Sequence, residues 1–185
     1  MSGPLIMPWK GIMPKIADDA FIAPNATIIG DVVIGPKASI WFNCVLRGDV
    51  NAIRVGARTN IQDGTIVHVD SGTEANEAGH PTLIGEDILI GHNAMIHGTT
   101  IEDGGFVGMC STLLDGVVVE GGAMVAAGAL VGPGKRIRRN QLWGGVPAKH
   151  LRDMKPEEAR YAPDGVAHYM KLAEGYRAHF AANPA

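Results

Sequence analysis

An aliphatic residue returns at every sixth position through most of this chain, and that period admits very few folds. Ile22, Ile28, Ile34, Ile40 and Leu46 keep the step, then Val55, Ile61 and Val67, then Ile84, Ile90 and Ile96. A last run holds Ile101, Val107, Leu113, Val119, Val125, Val131 and Ile137. Six is no multiple of the helical repeat of about 3.6, and Gly recurs throughout, so an α-helix is excluded for this region. A short strand plus a turn does fit six residues. Three such units close one triangular coil with the aliphatic residues pointing inward, and stacked coils pair as parallel strands about 4.8 Å apart. The expected fold class is an all-β solenoid, a parallel β-helix. Composition agrees, because 25 Gly in 185 residues with only 5% aromatics suits many tight turns around a narrow core.

The breaks in phase carry information of their own. Leu46 to Val55 is nine residues, three more than one unit. Val67 to Ile84 is seventeen, and the polar, Gly-containing stretch from Asp70 to Pro81 reads as a protruding loop. Ile96 to Ile101 is one residue short. After Ile137 the period fades, and Leu142–Lys149 reads as a coil-ending turn. Val166, Tyr169, Ala173, Tyr176 and Phe180 step by three or four, which predicts an amphipathic α-helix over 165–181. The chain thus divides into a β-helix domain over 1–150 and a C-terminal helical segment over 151–185 that packs on it.

A formal net charge of -3 calls for neither nucleic acid nor an anionic membrane. The run Lys135, Arg136, Arg138 and Arg139 reads as a solvated loop. Cys44 and Cys110 make no disulfide framework, and Cys44 lies in the apolar, β-rich setting of an inert buried thiol. The first residues lack a charged leader followed by an apolar run, and no stretch is long enough to span a bilayer, so the expected compartment is the cytoplasm.

Folding the sequence onto three faces brings polar residues together. Let Val55 mark face one, Ile61 face two and Val67 face three; the next coil repeats the order with Ile84, Ile90 and Ile96. His68 and His97 each follow the inward residue of face three, so they stack one strand spacing apart and can share a metal ion. His92 follows Ile90 on face two. One chain cannot bring it to that pair, but a neighbouring prism in a closed ring of three can. Arg47 joins the column of His68 and His97. Asp63 stacks beside His92. Arg47 and Asp49 on one wall would meet Gln62 and Asp63 on the other, with Arg47 and Asp49 ion-paired across the interface. His80, His150, His168 and His179 read as loop or helix-surface residues without partners.

Three stretches carry a resemblance: Leu46-Arg-Gly-Asp49, Asn60-Ile-Gln-Asp-Gly-Thr-Ile-Val-His68 and Ile90-Gly-His-Asn-Ala-Met-Ile-His97. With Leu172-Ala-Glu-Gly-Tyr176 in the terminal helix, the chain resembles the γ-class carbonic anhydrase family, in particular its compact YrdA-, PaaY- and CaiE-like bacterial members. The resemblance implies a left-handed β-helix and a homotrimer. It implies Zn2+ (or Fe2+ or Co2+) held by His68, His92 and His97, with His92 from the neighbouring subunit. It makes Arg47 and Asp49 an interface salt bridge and gives catalytic roles to Gln62, Asn60, Asp63 and Tyr169. The implied reaction is reversible hydration of carbon dioxide to bicarbonate by a metal-bound hydroxide at the trimer interface.

The sequence departs from the family pattern at two acidic positions. Val50 stands where a catalytic Glu can occur, and Ser71 falls near the place of a proton-shuttling Glu, leaving Glu74 and Glu77 as loop candidates. Other activities of the same scaffold therefore stay open: metal-dependent acyl-CoA thioesterase, hexapeptide acyltransferase, or a non-catalytic homologue.

Overall fold

The computed structural model describes residues 3–183 and is a left-handed parallel β-helix closed by one long helix. Every aliphatic residue of the repeat except Ile22 is 3% exposed or less. Ile22 is half-buried because its strand is the last of its sheet, with no strand beyond it. These side chains stack in register from coil to coil, as Ile61 opposite Ile90 and Val67 opposite Ile96. Burying each such side chain stabilises the prism by about 1.5–3 kcal/mol, so the period itself is the core.

Gly35, Gly56 and Gly85, which follow the inward residues Ile34, Val55 and Ile84, have a steric cause. On the column Gly35, Gly56 and Gly85 the coils approach so closely that a Cβ on Gly56 would lie 2.5 Å from the Gly85 carbonyl carbon. The obstacle is backbone, so it cannot swing aside.

Each phase break becomes a device at a corner. The strand Thr27–Ile34 pairs with Val45–Val55, Gly30 opposite Gly48 and Val32 opposite Ile53. Asp31 alone thus faces Asp49–Ala52, and the three surplus residues form a bulge that carries Asp49. The insert at 70–81 leaves the prism just after His68. Its neck is closed by the Asp70 amide donating to His80 O, and by Asn51 Nδ2 donating to Asp70 O and Ala78 O. The coil-ending turn is a hairpin. Gln141–Gly144 runs parallel to Met124–Val125 and antiparallel to Lys149–Asp153, so a strand occupies the start of the segment beyond 150.

A 3-10 turn, Pro156–Arg160, leads into the helix α1, Tyr161–Ala182. The helix starts four residues before the position predicted from its apolar stripe. Pro163 does not prevent this, since first-turn amides have no intrahelical acceptor to lose. α1 lies along face two, against the strands at 21–22, 39–40, 60–61 and 89–90. Tyr169 and Tyr176 pack edge-on to Trp41, with ring centroids 5.2 and 5.5 Å apart. Gly175, a weak helix former, is exposed, with nothing within 4 Å of where a Cβ would stand. Among the described residues no helix is long and apolar enough to cross a membrane.

Gly56→Ala should destabilise the protein by about 1–3 kcal/mol. Chemical denaturation measures this, and an unchanged midpoint would show that the coils tolerate a wider spacing.

Candidate metal centre

His68 and His97 end adjacent parallel strands of face three and stand directly opposite one another. His68 Nδ1 and His97 Nε2 approach to 3.0 Å. Two nitrogens bound to one tetrahedral Zn2+ at about 2.0–2.1 Å would lie about 3.3 Å apart, so the pair needs only a small adjustment to hold such an ion. The outer nitrogen of each ring is anchored. His68 Nε2 is 3.0 Å from Asp49 Oδ1, and His97 Nδ1 bonds to Asp115 Oδ1. Carboxylates accept only, so each outer nitrogen is the one that donates to its carboxylate, and the inner nitrogens face each other, where a bound metal would take both lone pairs.

Charge and burial reinforce this. Burial pushes the His68 imidazole pKa down, against the pull of Asp49, toward the neutral form that a ligand requires. Burial acts to raise the Asp49 carboxyl, but hydrogen bonds from His68 and Arg47 outweigh it and hold the group below the usual carboxylate range. Arg47 bonds Asp49 Oδ2 within the same chain, so Asp49 grips an arginine with one oxygen and a histidine with the other.

His92 occupies a different edge, in the turn between faces two and three. Its Nδ1 is 2.9 Å from Asp63 Oδ2, and its Nε2 is 3.4 Å from the Tyr169 hydroxyl. This third ring therefore repeats the pattern of one nitrogen on a carboxylate, with the other beside the Tyr169 hydroxyl. Among the described residues no three His, Cys, Asp or Glu side chains converge closely enough within the chain to hold a metal. Gln62 and Asn60 are almost fully buried nearby on face two, with Gln62 Nε2 donating to Asn60 Oδ1 at 3.1 Å. Asn60 Nδ2 in turn reaches the Ile88 carbonyl at 3.4 Å. Burial and Asp63 push the Tyr169 phenol pKa up, so it stays protonated at neutral pH.

The structure thus groups the predicted residues in two clusters. Arg47, Asp49, His68 and His97 line one edge; Asn60, Gln62, Asp63, His92 and Tyr169 line the other. Val50 is exposed on the corner bulge, while Ser71, Glu74 and Glu77 sit on the exposed part of the 70–81 loop. Sequence reasoning missed Asp115, which the six-residue frame could have found. Asp115 lies two places after Leu113, and Leu113 pairs with Ile96 on the next coil. The partner role of Asp49 toward His68 was also hidden, because Asp49 stands on the out-of-phase bulge. His80 is not an unpartnered loop histidine; its Nδ1 is 3.1 Å from Asp70 Oδ2.

Cys44 is buried, and desolvation pushes its thiol pKa up to about 12, whereas Cys110 is exposed. At pH 8 iodoacetamide should therefore label native protein once, at Cys110, and denatured protein twice. Mass spectrometry reads the count, and rapid native labelling of Cys44 would refute an inert thiol.

Comparison with known proteins agrees with this architecture. The family model "Bacterial transferase hexapeptide (six repeats)" matches residues 13–48. The chain is 53% identical over 163 residues to gamma carbonic anhydrase 2, mitochondrial, of Arabidopsis thaliana, covering 87% of this chain and 58% of that protein. It spans about 60% of the length of the plant relatives of this kind. It is 41% identical to the probable carbonic anhydrase of Methanocaldococcus jannaschii, covering 86% of this chain and 96% of that one. Among solved structures, a hexapeptide transferase family protein from Anaplasma phagocytophilum superposes with a TM-score of 0.87 at 45% identity, covering 93% of this chain and 98% of the other. The chain is a member of the γ-class carbonic anhydrase-like family of hexapeptide-repeat proteins.

Proposed function

We propose that this protein is a metal-dependent carbonic anhydrase whose sites lie between the subunits of a homotrimer, each joining His68 and His97 of one copy to His92 of the next. The observation that carries this reading is that three histidines each hold one ring nitrogen on a carboxylate, with the remaining nitrogens of His68 and His97 3.0 Å apart. An all-imidazole set of three suits Zn2+, and also Fe2+ or Co2+, and leaves a coordination position open.

Support for the trimer comes from which edges flank face three. One edge bears His92 and the other bears His68 and His97. The outward side chains between them are largely apolar; Leu5, Met7 and Ile66 are 55%, 37% and 39% exposed. Face two is covered by α1 over the strands at 21–22, 39–40, 60–61 and 89–90, and face one presents Lys15, Arg54 and Arg136. Turning three copies with face three toward a common axis buries the apolar strip. It also brings each His92 edge against a neighbour's His68 and His97 edge. Arg47 and Asp49 then lie at the seam, where they would meet the neighbour's Gln62 and Asp63.

When bound, the metal supplies Lewis acidity that lowers the pKa of a coordinated water toward about 7. The remaining work falls to the chain. Asp49, Asp63 and Asp115 fix the ring tautomers and orientations. Asn60 fixes the amide of Gln62, which leaves Gln62 Oε1 to accept a hydrogen bond from the attacking oxygen and to orient its lone pair toward carbon dioxide. The same Oε1 can then accept the hydroxyl proton of bicarbonate. The Tyr169 hydroxyl, protonated and half-buried, donates beside His92. Hydration releases one proton per bicarbonate, and the exposed 70–81 loop opens that edge to buffer. With no carboxylate at Val50 or Ser71, turnover should depend on buffer concentration.

Stopped-flow carbon dioxide hydration by the metal-loaded protein tests the reading, and a rate no higher than that of His92→Ala would sink it. Asp115→Asn should weaken metal binding about 10- to 100-fold with the trimer intact. Metal titration with light scattering checks both parts, and wild-type affinity would mean that Asp115 does not hold His97 as a ligand.

A further inference from the structure

The net charge of -3 conceals a separation of charge along the prism. Residues 132–160 hold eight Lys and Arg against three Asp and Glu, whereas residues 1–131 hold six against fourteen. The basic segment also forms one end of the molecule. Face three finishes with the strand Leu130–Val131, face one with Arg136–Ile137, and face two with Lys149–Asp153, the outermost strand of its sheet. Its cations therefore gather on a rim around that end. Arg136, Arg152 and Arg160 pair within the chain with Glu120, Glu158 and Asp164. Lys135, Arg138, Arg139, Lys149 and Lys155 are exposed, and among the described residues none of these five side chains is ion-paired.

Folding alone does not account for this surplus. A cation on an outermost strand discourages pairing with another sheet, which suits Lys149. The other four stand in turns and connections off the strands, where like charges repel one another. A closed ring of three turns the same end of every copy to the same side, so fifteen unpaired cations would share one end of the trimer. That threefold repetition rests on the trimer proposed above; the separation of charge within the chain does not.

Such an end attracts a polyanion, and its other side chains favour a lipid one. Val146 stands at the hairpin tip beyond the last strand of face three, where the Leu130 amide donates to Gly145 O and the Ala148 amide to Leu130 O. It is 72% exposed, more than any other large apolar side chain among the described residues. An exposed aliphatic group among cations suits the boundary between lipid headgroups and acyl chains. A single-stranded nucleic acid would instead be gripped by rings on which its bases stack. Trp143 is the only Phe, Tyr or Trp in residues 132–160, and it is half-buried with Nε1 donating to Gln141 Oε1. We propose that the C-terminal end of the prism docks on an anionic lipid membrane, with three copies acting together.

Vesicle sedimentation with the metal-loaded trimer tests this. One set of vesicles is phosphatidylcholine alone, and the other contains one part in four of phosphatidylglycerol. The protein should bind the anionic set at least tenfold more tightly. Raising the salt to about 1 M, where the screening length is about 3 Å, should abolish the difference. Arg138→Glu with Arg139→Glu reverses two of the five cations in each copy. It should weaken binding to the anionic set at least tenfold, with metal content and hydration rate unchanged. The comparison of the two vesicle sets uses the unaltered protein, so misfolding of the double variant leaves the proposal testable. Equal binding to both sets, or binding to neither, would overturn it, as would full affinity in the folded double variant. Binding of polyuridylate without binding of the anionic vesicles would overturn the choice of a lipid partner. The hydration rate of the same sample keeps the two readings apart: hydration without vesicle binding overturns this proposal alone, and vesicle binding without hydration overturns the anhydrase reading alone.

Discussion

Parallel stacking of six-residue units is the constraint on which the rest of this structure depends. Every coil repeats the one beneath at a spacing of about 4.8 Å, so residues in equivalent positions form columns along the prism. The inward column makes the core. A column one place further along becomes a ladder of polar groups with fixed spacing. His68 and His97 face each other because their strands register, and no special loop is needed to bring them together. The imidazoles are positioned by the same hydrogen bonds that hold the coils together, which gives the pair the rigidity that a ligand set requires.

The carboxylates complete the design. Asp49, Asp63 and Asp115 each take one imidazole nitrogen. Two of them reach their histidines from neighbouring coils, Asp63 in register with His92 and Asp115 from one place beyond His97. The third arrives by an interruption of the repeat, since three surplus residues push Asp49 out at the corner beside His68. Asp49 also carries Arg47, so one carboxylate joins the arginine to the histidine pair.

Much of this was legible in the sequence because the period of six fixes both burial and lateral position. The inward residues, the His68 and His97 stack and the Asp63 and His92 contact follow from counting. What counting could not supply lies where the period fails. The Asp49 contact depends on the path of a bulge, and the Asp70 and His80 pair depends on how a loop closes on itself. The early start of α1 was concealed by Pro163 and Gly165, which oppose a helix in general. Here the Pro sits in a first turn and the Gly admits Leu89. Asp115 was within reach of the frame, but Asp in a turn is so common that its position drew no notice.

The direct test of a site shared between copies is subunit mixing. His92→Ala chains keep His68 and His97, and His68→Ala chains keep His92, so neither variant alone can complete a shared site. Denaturing and refolding an equal mixture with Zn2+ should restore tight metal binding and hydration at about one quarter of the interfaces, the random share in which the intact pair meets an intact His92. Metal analysis after gel filtration reads that fraction. A mixture that binds no more metal than either variant alone would contradict a site built from two chains.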